Sequence, residues 1–470
     1  MFSRRVLDVK DADGVGALDT AAIDRVKAEA WPQPSDAEEV HEALLWMGYV
    51  TADEARQWQP WLEALLAGGR VVREGERWFA TEAPRVPKTV LRGRLEALGP
   101  VFAEGADEVH LRELETEGAV LRTRIGGRTA WCARRLLARI QRYTLDRLRR
   151  EIEPVTAAQF LRFLACWQHV DPEHRLEGPR GVAAVVEQLA GFEVPAAAWE
   201  ASVLPARVRG YKRDWLDQLT LSGEAVWGRL WGAGTSAIRR TPIALLPRED
   251  LERWRSLALP DEARPISATA EAVHAALLRR GAMFFQEIVR ETKLLNVEAE
   301  GGLADLIALG RATCDSFGGL RWLIVPASRR RVTGLTAGRW SLLRQAGAPA
   351  SAGTDAEFLA RRLLARTGVV FRKTLARERQ PVPWREIARA LRTLEARGEV
   401  RGGRFVAGFD GEQYALTDAV ALLRAVRKRP APPEDSTSLT VSAADPLNFR
   451  GILTPDERVS AATQQQVRVA

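Results

Sequence analysis

Apolar positions along this chain recur at helical spacing, stop at a glycine, and give way to a short alternating stretch that carries arginine. The cycle repeats five times. In the clearest copies, Leu394-Glu395-Ala396-Arg397-Gly398 leads into Val400-Arg401-Gly402-Gly403-Arg404-Phe405-Val406, and Leu65-Leu66-Ala67-Gly68-Gly69 leads into Val71-Val72-Arg73-Glu74-Gly75-Glu76-Arg77-Trp78-Phe79. Weaker copies begin at Leu114, Leu219 and Leu306, the last running through Phe317-Gly318-Gly319-Leu320-Arg321-Trp322 as its hairpin. A glycine-stopped helix followed by a glycine-turned hairpin is the order of recognition helix and wing in a winged helix. One such stretch is common, whereas five in series imply a tandem array.

The predicted fold class is α+β, mostly helical, with tandem winged-helix modules. Five modules are expected at 19–80, 89–132, 134–256, 268–343 and 355–429, with a β-prone tail at 439–470. In the first, Ser35 is the expected N-cap, with Asp36, Glu38 and Glu39 in the opening turn. The third is too long for a minimal winged helix and carries an extended Thr241–Pro247 stretch. Pro84–Pro87, Ala346–Gly353 and the Pro- and Ser-rich Pro430–Ser438 are expected linkers.

Length alone requires several cores, because 470 residues exceed what one core supports. A charged content of 28% excludes a membrane protein, and the Arg4–Lys10 stretch lacks the apolar core of a signal peptide. The expected location is therefore the cytoplasm, nucleoid-associated. Three isolated cysteines, Cys132, Cys166 and Cys314, fit a reducing compartment. Net charge is +8, and Asp355–Arg429 holds 17 Lys or Arg against 9 Asp or Glu, so the surplus lies in the fifth module. A local basic field attracts polyanions.

Within that module Trp384, Ile387, Ala388, Leu391 and Leu394 form one apolar stripe. Arg385, Arg389 and Arg392 fall at i, i+4 and i+7, one exposed face of the helix that precedes the wing. Arg401 and Arg404 on the hairpin are placed to grip flanking phosphates, for which arginine forks are well shaped. The competing view is a solvated face paired with Glu386 and Glu395.

A set of ordered segments carries a resemblance. Arg139-Ile140-Gln141-Arg142-Tyr143, Trp167-Gln168-His169-Val170, Leu204-Pro205-Ala206-Arg207, Gly338-Arg339-Trp340-Ser341-Leu342, Gly402-Gly403-Arg404-Phe405-Val406 and Ala444-Asp445-Pro446-Leu447-Asn448 resemble the C-terminal region of Lhr, the large helicase-related proteins of bacterial DNA repair. The resemblance spans nearly the whole chain. It implies tandem winged helices with a small C-terminal β-barrel-like element, similar in architecture to the AlkZ/YcaQ DNA glycosylases. The implied function is a DNA-binding region of an ATP-dependent repair helicase. The motor is not in this chain: no Gly-x-x-x-x-Gly-Lys-Ser/Thr loop occurs, and Gly232-Ala233-Gly234-Thr235-Ser236 lacks the lysine. The implied partners are DNA, a helicase motor domain or chain, and further copies of this chain, with no membrane and no cofactor. An oligomerisation scaffold is a further alternative.

The remaining alternative is a glycosylase that excises uracil or an alkylated base. The resemblance makes Asp445 the catalytic candidate, since base excision needs a group to orient water and stabilise an oxocarbenium-like sugar. Ala443 stands where the glycosylases carry Gln, and Asp-Pro also commonly opens a turn. Cys166-x-x-His169 with His174 lacks the fourth ligand of a structural zinc site, so no metal is expected. Most of the fifteen tryptophans sit at core-compatible positions.

Overall fold

The computed structural model describes residues 18–102, 107–150, 152–232, 237–258, 266–325, 329, 338–343, 355–429, 439–463 and 465–469. The expected linkers at 346–353 and 430–438, and residues 233–236 of the glycine-rich segment, lie outside the described residues. The chain divides into two compact units, Met1–Ile152 with Thr393–Gly403, and Glu153–Arg392 with Arg404–Ala470.

In the first unit, helix Ala37–Met47 buries Val40, Leu44 and Met47, and strand Val50–Thr51 follows. Helix Gln59–Ala67 then leads to the hairpin Val71–Glu74 and Arg77–Ala80. Val50 pairs with Trp78, so the last strand lies between the first and the second. The helix cap differs from expectation: Asp36, not Ser35, accepts from the Glu39 amide, while the Glu39 carboxylate accepts from the Ser35 amide and hydroxyl. Moving the cap one residue satisfies donors on both sides of the helix start.

The next module repeats the plan. Helix Pro87–Leu98 takes Pro87, the end of an expected linker, as its first residue, where proline's missing N–H costs nothing. Val101 then bridges Trp131 within the hairpin Val120–Ile125 and Arg128–Ala133, after helix Asp107–Thr116. Its core joins Leu95, Leu111, Leu114 and Trp131 to Ile23 and Val26, and to Leu137 and Ile140 of helix Arg134–Arg150.

In the second unit the same strand order appears twice more. Val194–Pro195 and Ala225–Gly228 flank Pro242–Pro247, and Met283–Phe284 and Ala312–Cys314 flank Arg339–Leu342. In the fifth module Val369–Val370 pairs antiparallel with Gln413–Leu416. The third and fourth modules share one apolar core. At its centre Trp227 meets Phe317 and Trp340 edge to face, at centroid distances of 6.3 and 6.2 Å; such pairs add about 0.5–1.5 kcal/mol each beyond burial.

Two expectations are corrected. Phe317-Gly318-Gly319-Leu320-Arg321-Trp322 is not a hairpin but part of helix Phe317–Ile324, capped by Ser316. Gly319 is small for packing rather than for turning: a Cβ there would lie 2.8 Å from Cys314 Sγ. The β-barrel-like tail is likewise reduced. Among the described residues it is a two-stranded antiparallel ladder, Thr440–Ser442 with Gln466–Arg468, and no closed barrel forms.

Candidate nucleic-acid interface

The helix immediately before each wing is the element that a winged helix presents to a groove. In the first four modules these helices are Gln59–Ala67, Asp107–Thr116, Arg213–Leu221 and Asn296–Ala308, and each carries more Asp and Glu than Lys and Arg. Helix Trp384–Ala396 reverses the balance, with Arg385, Arg389 and Arg392 against Glu386 and Glu395.

Its packing sharpens the contrast. Ile387, Ala388, Leu391 and Leu394 are buried, as the apolar stripe requires, and Trp384 is half-buried. Arg385, Arg389 and Arg392 are exposed on the other side. Glu395 does not belong to that face. It is buried, and its carboxylate accepts from Arg149 Nε at 3.0 Å and Nη2 at 2.6 Å, and from the Gly402 amide at 3.1 Å. One of the two acids expected to neutralise the arginines is therefore committed elsewhere. Arg392 lies 3.3 Å from Glu412, with both side chains about half exposed, a geometry worth little in water (about 0–1 kcal/mol) and readily exchanged for phosphate.

The expected glycine-turned hairpin at Val400–Val406 is not formed: Gly402 and Gly403 end the strand Val400–Gly403, and Arg404 opens the loop that follows. Arg404 is exposed and lies 3.5 Å from a fully exposed Asp410, whereas Arg401 is half-buried. Gln413 fixes the start of the Arg404–Glu412 loop, accepting from the Phe405 and Val406 amides at 2.9 and 2.8 Å and donating to the Val406 carbonyl at 2.9 Å.

Asp445 is buried. It is 1% exposed, and its two oxygens take a two-pronged bond from Arg207, itself 0% exposed, at 2.7 and 2.8 Å. One oxygen also accepts from the Leu447 amide at 2.9 Å, and Arg207 donates to Gln168 Oε1 at 2.9 Å. Asn448 closes the same turn, donating to the Ala443 carbonyl at 2.8 Å, while its own carbonyl accepts from Arg377 at 2.6 Å. Burial holds the Arg377 guanidinium below its ordinary range, against the opposing pull of Asp445. Arg207 is the residue that sequence alone missed. It lies 238 positions from Asp445, and a lone buried arginine has no periodic signature.

The Cys166 region brings together Cys166, Asp171 and His174, whose donor atoms lie within 4.8 Å of one another, and not His169. Asp171 already holds His174 Nδ1 at 2.8 Å. Burial pushes the Cys166 thiol up to about 11, away from the thiolate a metal needs.

Comparison with known proteins places these modules. Residues 155–248 and 349–435 each match a model described as "Large helicase-related protein, winged-helix domain". A protein of Mycolicibacterium smegmatis named "Lhr helicase/ probable uracil glycosylase" is 31% identical over 359 residues, covering 68% of this chain and 23% of the relative. One of Escherichia coli K12 named "Lhr helicase/uracil glycosylase" is 28% identical over 399 residues, covering 74% of this chain and 25% of the relative. The chain thus spans about a quarter of the length of either relative. Among solved structures, Streptomyces sahachiroi DNA glycosylase AlkZ has 15% identity and a TM-score of 0.34, over 58% of this chain and 73% of that one.

Proposed function

Because residues 155–248 and 349–435 are winged-helix domains of the large helicase-related protein family, we propose that this chain is a DNA-binding region of a protein of that family. Helix Trp384–Ala396 is its groove-facing element. The observation that carries this is the charge of the five helices that precede a wing: in this one alone Arg outnumbers Asp and Glu, and its three arginines are all exposed. Binding is dominated by phosphate contact, so affinity falls steeply with salt. Arg404 on the neighbouring loop adds a flanking contact and the half-buried Arg401 a weaker one. The test is a titration of the chain against labelled duplex DNA at several salt concentrations. A steep log–log dependence is expected; salt-independent or absent binding overturns the proposal and favours a protein scaffold.

A second reading, base excision, draws on the names of the two relatives, both of which include uracil glycosylase. In this chain the Asp445 carboxylate is held by Arg207 and by a backbone amide. For Asp445 to orient a water, its carboxylate must first be opened to solvent, from which it is now shut off. Incubation with uracil-bearing duplex, followed by detection of abasic sites, separates the two readings. Intact uracil with firm binding leaves the DNA-binding role alone.

A further inference from the structure

The first two modules present acidic helices to the position where a groove would lie, yet their wings are rich in arginine. In the second module the wing reads Arg122-Thr123-Arg124-Ile125-Gly126-Gly127-Arg128-Thr129, without an acidic residue. Gly126 and Gly127 have φ of 57° and 81°, the paired left-handed residues of a tight hairpin turn. A Cβ at either would meet nothing within 4 Å, so the tip is a bare ribbon of backbone. On its two sides stand Arg124 and Arg128, both exposed, and neither has a carboxylate partner among the described residues.

The guanidinium of Arg128 lies over the Phe102 ring, 4.4 Å from its centroid, and Phe102 is 41% exposed. Stacking of this kind orients the charged guanidinium plane. Deeper in the wing, Arg122 sits opposite Trp131 in register and 5.5 Å over its ring. The first module repeats both arrangements. Arg73 is opposite Trp78 at 5.4 Å, and Arg77, beside the Gly75 turn, is over Tyr49 at 4.5 Å.

We infer that the wing of the second module is a separate duplex-DNA contact, in which Arg124 and Arg128 straddle the Gly126-Gly127 tip and grip phosphates while helix Asp107–Thr116 faces away from the polyanion. The helix has Asp107, Glu108, Glu113 and Glu115 against Arg112, so turning it toward phosphates would be repulsive. A tip without side chains is narrow enough to approach a groove, and flanking arginines are the residues such a groove attracts. The first wing, where Glu74 and Glu76 dilute the charge, is the weaker copy.

This inference rests on the DNA-binding proposal but uses different residues, so the two fail separately. The experiment is the salt titration of the full chain on labelled mixed-sequence duplex, run on Arg124→Ala/Arg128→Ala, on Arg112→Glu, and on the helix variant Arg385→Ala/Arg389→Ala/Arg392→Ala. The wing variant is expected to flatten the log–log slope by about 1.8, at about 0.9 per lost phosphate contact. Arg112→Glu should leave the slope unchanged, since it alters charge in the same module but off the wing. An unchanged slope in the wing variant, or an equal drop with Arg112→Glu, overturns the inference whatever the helix variant does. Circular dichroism melting of each variant shows whether the fold is intact, and Arg124→Gln/Arg128→Gln, which keeps side-chain bulk, serves if the alanine pair unfolds.

Discussion

Helices Asn296–Ala308 and Trp384–Ala396 are both 13 residues long and both precede a wing strand. They bury matching positions: Ala299 and Ile387, Leu303 and Leu391, Leu306 and Leu394, Ile307 and Glu395. On the outer face the match ends. Where one carries Arg385, Arg389 and Arg392, the other carries Val297, Gly301 and Ala304 at the same places in the helix. The core-facing half of a winged helix is dictated by packing; the outer half is free, and there two copies of one fold have taken opposite chemistry. The fold position does not assign the role, and the side chains on that face do.

Several measurements would break or sharpen this contrast. The largest effect comes from breaking a buried ion pair. Arg207→Ala leaves the Asp445 carboxylate, 1% exposed, without its cation, and such orphaned buried charges cost about 3–5 kcal/mol. The expected result is a large drop in the denaturant midpoint of the chain, and an unchanged midpoint would show the pair to be dispensable. Next, Arg385→Ala/Arg389→Ala/Arg392→Ala should flatten the salt slope of DNA binding by about 2.7 with no change in melting temperature. An unaffected slope would make the two helices functionally alike. The reciprocal transplant, Val297→Arg/Gly301→Arg/Ala304→Arg, places the same i, i+4, i+7 face on the acidic helix. Its expected gain is smaller, a steepening of up to about 2 in the same slope, because Glu298 and Asp305 stay nearby. No gain at all would show that placement, rather than side chain, separates the two.

The smallest effect concerns stability alone. Gly301 lies within a helix, and a Cβ there meets nothing within 4 Å, so Gly301→Ala should stabilise by about 0.5–1 kcal/mol, read as a rise in melting temperature. At Gly302 a Cβ would sit 2.8 Å from the Thr269 carbonyl oxygen, and the same change should destabilise.

Sequence pattern located the helices and most of the wings, because glycine stops and apolar spacing are local signals. It did not reveal the strand order, since the first strand of each module is as short as Val50–Thr51 or Met283–Phe284 and has no visible alternation. Phe317–Ile324 was misread because two glycines look like a turn whether they bend the chain or make room for Cys314. The arginine face of helix Trp384–Ala396 was legible from spacing alone. The inward turn of Glu395 and the partner of Asp445 were not, because both depend on residues more than 200 positions away.

The bond between Arg207 and Asp445 also bears on how such chains diverge. Arg207 lies inside the matched segment 155–248, while Asp445 lies beyond the end of the other matched segment, 349–435. A recombination event that exchanged one without the other would strand a buried charge, and a substitution at either position would be tolerated only with a compensating change at its mate. Across descendants the two positions should therefore covary, and the short tail should be inherited with the third module rather than with the fifth, which it follows in the chain.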